Sequence, residues 1–163
     1  MQEIIRSVQL TDVARCFEIE SAAYSADEAA SQAKIQIRAE QYPEGFIVLE
    51  VERHVIGFIN SGCADKVVMS DEHFKELKGH TPSGANLVIM SVVVDPVFQG
   101  RGYSAKLMTA FIEKAKSLNK AAIYLMCKEQ YLKLYEKFGF QLLQKSDSTH
   151  GGMQWYEMKL ELA

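Results

Sequence analysis

The chain has 163 residues, of which 48% are hydrophobic and 24% charged, values that suit one soluble domain with a real core. A formal net charge of −3 excludes the strong basic excess of a nucleic-acid or polyanion binder. The three cysteines, Cys16, Cys63 and Cys127, have neither CxxC nor Cys/His spacing, so no disulfide framework and no metal site is expected.

The opening residues lack a signal-peptide core, and no apolar run approaches the roughly 18 residues of a membrane span. A cytoplasmic protein is expected, in keeping with scattered free thiols. No repeat, low-complexity tract or linker divides the chain, so residues 1–163 read as a single domain.

In chain order, Glu3–Val8 is a short β-prone run. Thr11-Asp12 offers an N-cap for a helix with Val13, Cys16, Phe17, Glu20 and Ala23/Tyr24 on one face. Asp27 is the expected cap of a second, weakly amphipathic helix running to about Gln41, ended by Pro43. Gly45–Val51 and Val55–Cys63 read as a hairpin turned at Glu52-Arg53-His54. The polar stretch Ala64–Ala85, with a short helix near Asp71–Leu77, is either a binding loop or a plain surface loop. Leu87–Val94 is the most hydrophobic strand and so a central one.

After Asp95-Pro96, the chain enters a helix with Leu107, Met108, Phe111, Ile112, Ala115 and Leu118 as its apolar stripe, closed by Asn119. Ala121–Cys127 reads as a buried strand. Glu129–Phe138 is a short helix stopped by Gly139. Phe140–Gln144 and Gln154–Leu162 pair around a Gly151-Gly152 turn. The order β-α-α-β-β-β-α-β-α-β-β describes a mixed α/β fold, with about seven strands in a central sheet and four helices.

A buried strand, a glycine-rich turn and an amphipathic helix form a physical recipe for holding a diphosphate. The first turn of a helix leaves N–H groups without partners, and its dipole adds positive character there. Gly100 and Gly102 remove side chains, Ser104 is small and Arg101 can neutralise charge. By themselves these residues are equally well a plain turn. A Walker loop is excluded because no Gly-Lys-Ser/Thr follows, and a dinucleotide fingerprint would need a third glycine and an acidic ribose reader.

In its context, Val92–Ala105 (VVVDPVFQGRGYSA) resembles the acetyl-CoA motif of the GNAT acetyltransferase superfamily, Gln/Arg-x-x-Gly-x-Gly/Ala. Gln99, Gly102 and Ser104 stand at its defining positions, with Ser in place of Gly/Ala. The resemblance implies that Val92, Val93 and Val94 lie along the pantetheine arm. It implies too that Gln99, Gly100, Arg101, Gly102, Tyr103, Ser104 and Ala105 surround the pyrophosphate. Leu132–Phe140 (LKLYEKFGF) resembles the family's second signature, a Tyr-bearing helix ending in Phe-Gly-Phe. A phenol with a pKa of about 10 can donate to a departing thiolate whose conjugate acid has a pKa of about 8.5. Tyr135 is the expected donor; Tyr131 reads as packing.

Phe17–Glu20, Tyr24–Glu28, Leu125–Cys127 and His150–Tyr156 resemble segments of the arylalkylamine N-acetyltransferase branch. Vertebrate members of that branch carry two histidines where Val88 and Met90 stand here. Another base is therefore needed: Glu28 first, as in insect relatives with a similar Asp-Glu segment, then His80, or water. Glu20 is the expected anchor for a cationic amine. Tyr24, His80 and Trp155 are the other expected substrate contacts. Cys127 has no histidine partner at any readable spacing, which disfavours a cysteine acyl-enzyme.

The resulting expectation is an N-acetyltransferase that moves acetyl from acetyl-CoA to a small, arylalkyl-type primary amine by direct attack in a ternary complex. It would act as a monomer or homodimer, with no metal, nucleic-acid or membrane partner. The alternatives are a protein N-terminal or lysine acetyltransferase and a non-catalytic acyl-CoA-binding module.

Overall fold

The computed structural model describes residues 2–162. Seven strands form one sheet: β1 (Glu3–Ser7), β2 (Ile47–Val51), β3 (His54–Ala64), β4 (Asn86–Val94), β5 (Ala122–Cys127), β6 (Gln141–Lys145) and β7 (Tyr156–Glu161). Their spatial order is β1-β2-β3-β4-β5-β7-β6. The four helices are α1 (Val13–Ala23), α2 (Gln32–Gln41), α3 (Tyr103–Ser117) and α4 (Leu132–Glu136). This is the mixed α/β order read from the sequence.

Each face of the sheet has its own core. On one, Cys16 and Ile19 of α1 and Ile35 of α2 pack on Val48 and Phe58. On the other, Leu107, Met108 and Phe111 of α3 cover Leu49, Ile56, Ile59 and Ile123, with Tyr135 and Phe138 around α4 at the margin. Phe58 and Phe111 are almost wholly buried, and each such side chain contributes about 1.5–3 kcal/mol. The stripe on α3 is the one that helical periodicity predicts.

The hairpin between β2 and β3 turns at Glu52 (φ 51°) and Arg53 (φ 69°), the two left-handed positions of a twist-matched two-residue turn. The cap of α2 differs from expectation. Ser31, not Asp27, accepts the Lys34 amide, so residues 24–30 are a loop and Glu28 is not a first-turn helix residue. The Glu129–Phe138 segment is likewise a single 3-10 turn leading into the shorter α4. Between β6 and β7, Gly151 and Gly152 belong to a 3-10 turn at His150–Gly152 inside a longer excursion, not to a tight hairpin turn.

Candidate active site

Two strands create the site by parting. β4 runs antiparallel to β3 over its length, from Asn86 to Val94. Its parallel pairing with β5 covers only Asn86↔Ala122, Leu87↔Ile123 and Val88↔Tyr124. Beyond Val88 the facing edges diverge, while β7 stays paired to β5 as far as Cys127↔Tyr156. A cleft of about 340 Å³ opens in the fork, lined by Val92–Val94 on one side and Met126–Lys128 on the other.

The glycine-rich turn closes one end of this cleft. Asp95 fixes its approach: one carboxylate oxygen accepts the Val97 amide at 3.0 Å, and the other takes Arg15 Nη2 at 2.6 Å. Gln99 Nε2 donates to the Val94 carbonyl at 3.0 Å, tying the turn back to β4. Gly102 (φ 82°) is the N-cap of α3, a left-handed conformation that a side chain adopts only at a cost. A Cβ at Gly100 or Gly102 would meet nothing within 4 Å, so both backbones face open space. The first amides of α3 have no helical partner and are directed where an anion binds at a helix N-terminus. Gly100, Gly102, Tyr103 and Ser104 line the cleft; Arg101 lies instead over the Phe98 ring at 5.4 Å.

The cleft meets a second, smaller cavity of about 130 Å³. Tyr24, Glu28, Val92, Met126, Tyr135 and Trp155 line both, which locates the junction where a group passed from one ligand to the other would sit. The Tyr24 hydroxyl donates to the Val92 carbonyl at 3.0 Å. Tyr135 packs edge-on against Phe140, and its hydroxyl has no hydrogen-bond partner among the described residues. Burial pushes its pKa well above that of an ordinary phenol, so it stays a neutral donor at any working pH. With Tyr135 as the proton donor to a leaving thiolate, Tyr135→Phe is expected to lower kcat about 10²-fold or more. Coenzyme affinity should hardly change. Stopped-flow release of thiol and calorimetry check the two separately; a kcat within threefold of the parent would make the tyrosine a packing residue.

Both acidic residues expected at the site, Glu20 and Glu28, line the smaller cavity. Glu28 is engaged: Lys128 Nζ lies 2.6 Å from its Oε1, its main-chain carbonyl bonds the His150 ring at 2.9 Å, and a Cβ on Gly151 would press within 2.8 Å of its Cγ. The Glu28 carboxylate is thus occupied by an ion pair with Lys128. Lys128 is the residue that decides this, and nothing in its strand-end position signals the pairing. Glu20 is almost wholly buried and lines the smaller cavity. Its Oε2 accepts the Ala30 amide at 2.9 Å, while its Oε1 has no partner. Burial raises its pKa, partly offset by the Ala30 amide, Ser91 and Arg38.

His80 is not at the site. Its Nδ1 accepts the Cys63 amide at 2.8 Å, its ring packs on Tyr42, and burial lowers its pKa. It lines neither cavity and acts as a neutral strut under the Ala64–Ala85 segment. That segment supplies Val68, Met69, Asp71, Phe74 and Lys75 to the wall of the smaller cavity, so the long connection is part of the cavity and not a detached surface loop. Trp155 is at the junction, with its indole N–H donating to the His150 carbonyl at 2.8 Å. Val88 and Met90 also line the smaller cavity, where neither can carry a proton. Cys127 has burial pushing its thiol up to about 11, unlike an activated nucleophile. Among the described residues no cluster of three or more His, Cys, Asp or Glu could hold a metal, and no helix is long and apolar enough to cross a membrane.

The sequence pattern of the acetyltransferase (GNAT) family matches residues 13–140. The loading GNATL domain of CurA from Lyngbya majuscula superposes with a TM-score of 0.87 at 14% identity, over 99% of this chain and 98% of that one. The GphF GNAT-like decarboxylase in complex with isobutyryl-CoA gives 0.84 at 16% identity, over 98% and 100%. The yncA protein of Salmonella typhimurium with its cofactor acetyl-CoA gives 0.73 at 22%, over 100% and 95%. At these identities the likeness shows a common fold. None of the curated protein sequences compared is detectably similar.

Proposed function

Because this chain belongs to the GNAT acetyltransferase family and is an acetyl-CoA-dependent N-acetyltransferase, we propose that its acceptor is a small primary amine bound in the 130 Å³ cavity. Glu20 is the base in this reading and Tyr135 the acid. The observation that carries it is the unpartnered Oε1 of Glu20 in a cavity that also holds Tyr135. The volume is close to that of an engineered cavity of about 150 Å³ that binds benzene, which favours a compact amine over a polypeptide chain. Tyr24, Phe74 and Trp155 on its wall suit an arylalkylamine among such amines.

When bound, acetyl-CoA supplies an activated thioester. The Gly100–Ala105 amides fit its pyrophosphate, and the open edge of β4 beyond Val88 fits its amide-bearing arm. An alkylammonium has a pKa of about 10.4 and must lose a proton before its nitrogen can attack. Glu20 first pairs with the ammonium and then accepts that proton as the new N–C bond forms. Burial lifts the Glu20 carboxyl toward the working range, which a base at neutral pH requires. Tyr135 donates to the sulfur as the C–S bond breaks. Val88 and Met90 take no part, so this chain does without a histidine relay.

A panel of amines with acetyl-CoA, read by thiol titration, tests the proposal. Small primary amines, arylalkylamines included, are expected to release coenzyme A well above the rate with water alone. Turnover confined to peptides with a free N-terminus or lysine would move the acceptor outside the cavity. Coenzyme binding without release for any amine would make the chain a binding module.

A further inference from the structure

α2 turns two cations into the acceptor cavity. Lys34 and Arg38 are four residues apart, hence neighbours on one helical face, and both line it. Arg38 is 2% exposed. Its Nε donates to the Lys75 carbonyl at 3.1 Å, and its Nη1 makes long contacts to Asn60 Oδ1 and Ser91 Oγ, at 3.4 and 3.5 Å. Its Nη2 has no hydrogen bond, and no carboxylate forms an ion pair with Arg38 or Lys34 among the described residues. Burying a guanidinium without an ionic partner is expensive.

Two of the other charges around the cavity are held in ion pairs. Glu28 is held by Lys128, and Lys75 is paired with Glu72 at 3.0 Å. Asp71 is turned to the His73 amide, and the Nε2 of His150 faces the Glu28 carbonyl. Glu20 acts on Arg38 through space, not in contact. Glu20 and Asp71 on one hand and Arg38 and Lys34 on the other are therefore the lining charges without an ion pair among the described residues, and the two cations stand together on one face of α2.

We propose that Arg38 Nη2, supported by Lys34, is a binding site for a carboxylate carried by the ligand of this cavity. An acceptor with both an amino and a carboxylate group would satisfy all three residues at once, the ammonium on Glu20 and the carboxylate on Arg38 and Lys34. A carboxylate on the acyl group of the coenzyme would reach the same guanidinium from the junction. The inference rests on the reading of this cavity as the acceptor site, but its test needs no turnover.

Calorimetry on the coenzyme A-loaded protein compares propionate with propionamide, which match in size and differ in charge. Propionate is expected to bind at least tenfold more tightly, with the preference shrinking as salt is added. Lys34→Ala removes a half-buried side chain with no ion pair and should weaken propionate about threefold or more while leaving the thermal melt in place. Arg38→Lys keeps a charge but loses the planar fork and should abolish the preference. Should Arg38→Lys fail to fold, the wild-type comparison and Lys34→Ala still decide. Two further arms identify the source of the carboxylate. Faster acetylation of β-alanine than of β-alaninamide assigns it to the acceptor, and tighter binding of malonyl-CoA than of acetyl-CoA assigns it to the acyl group. Equal affinity for propionate and propionamide, or a preference that Lys34→Ala leaves unchanged, overturns the proposal. Loss of acetyl transfer with a retained carboxylate preference would instead count against the acetylation reading alone.

Discussion

Replacing Gly102 with glutamate is expected to abolish measurable coenzyme A binding while the protein still folds. Gly102 sits at φ 82° with open space where a Cβ would go, so the substitution costs only the left-handed conformation, about 1–2 kcal/mol. For a domain of this size that is a fall in Tm of roughly 2–8 °C. The new carboxylate would lie over the first amides of α3 and compete for the N–H groups that an incoming pyrophosphate needs, adding like charge as well. Gly102→Ala carries the same backbone strain without the charge and should bind coenzyme more weakly than the parent but measurably. Calorimetric titration of both variants, with thermal melts alongside, separates a filled cradle from a damaged fold. A folded Gly102→Glu variant with parental affinity would move the coenzyme elsewhere.

Glu20→Gln should lower kcat/KM at least a hundredfold at neutral pH, the lower end of what a positioned base contributes. The amide keeps the bond from the Ala30 N–H but cannot take a proton. Burial raises the Glu20 pKa, so the parent should lose activity as pH falls through a value above that of a free glutamate, about 4.3. Activity is retained above that value, because the carboxylate is the active form. In Glu20→Gln this limb should vanish, and activity should climb only as the amine itself deprotonates at high pH. Glu28→Gln serves as the comparison: with Lys128 on its carboxylate, it should shift KM more than kcat. If the acid limb survives in Glu20→Gln and disappears in Glu28→Gln, the two roles are reversed.

The fold was readable because its signals are local and periodic. The stripe of Leu107, Met108 and Phe111, the run Leu87–Val94 and the glycines at 100 and 102 each dictate their own geometry. What was hidden depends on where elements meet. Glu20 and Glu28 are both acidic residues near the end of α1, and only tertiary structure brings Lys128 from beyond β5 to one of them. Arg38 lies on a weakly amphipathic helix, and periodicity says which face a residue occupies and not what that face meets. Ser31 outcompetes Asp27 as a cap because the chain between Tyr24 and Ser31 is needed as a loop against His150 and Gly151. His80 is a titratable residue in a long loop, yet its ring is taken up by the Cys63 amide and Tyr42.

The early end of the β4–β5 pairing has a mechanical consequence. Three residue pairs join two half-sheets, β1 to β4 on one side and β5, β7 and β6 on the other. The seam between them has the shortest strand pairing in the sheet, and a ligand bound along it would act as mortar. By mass action, a ligand at a hundred times its Kd adds about 2.7 kcal/mol to the folded state, and here that gain falls across the seam. Val92 stands on one half, and Met126 and Tyr135 belong to the other. The alignment of acid and base therefore depends on how firmly the two halves are held together, and a ligand bound along the fork would add to that hold.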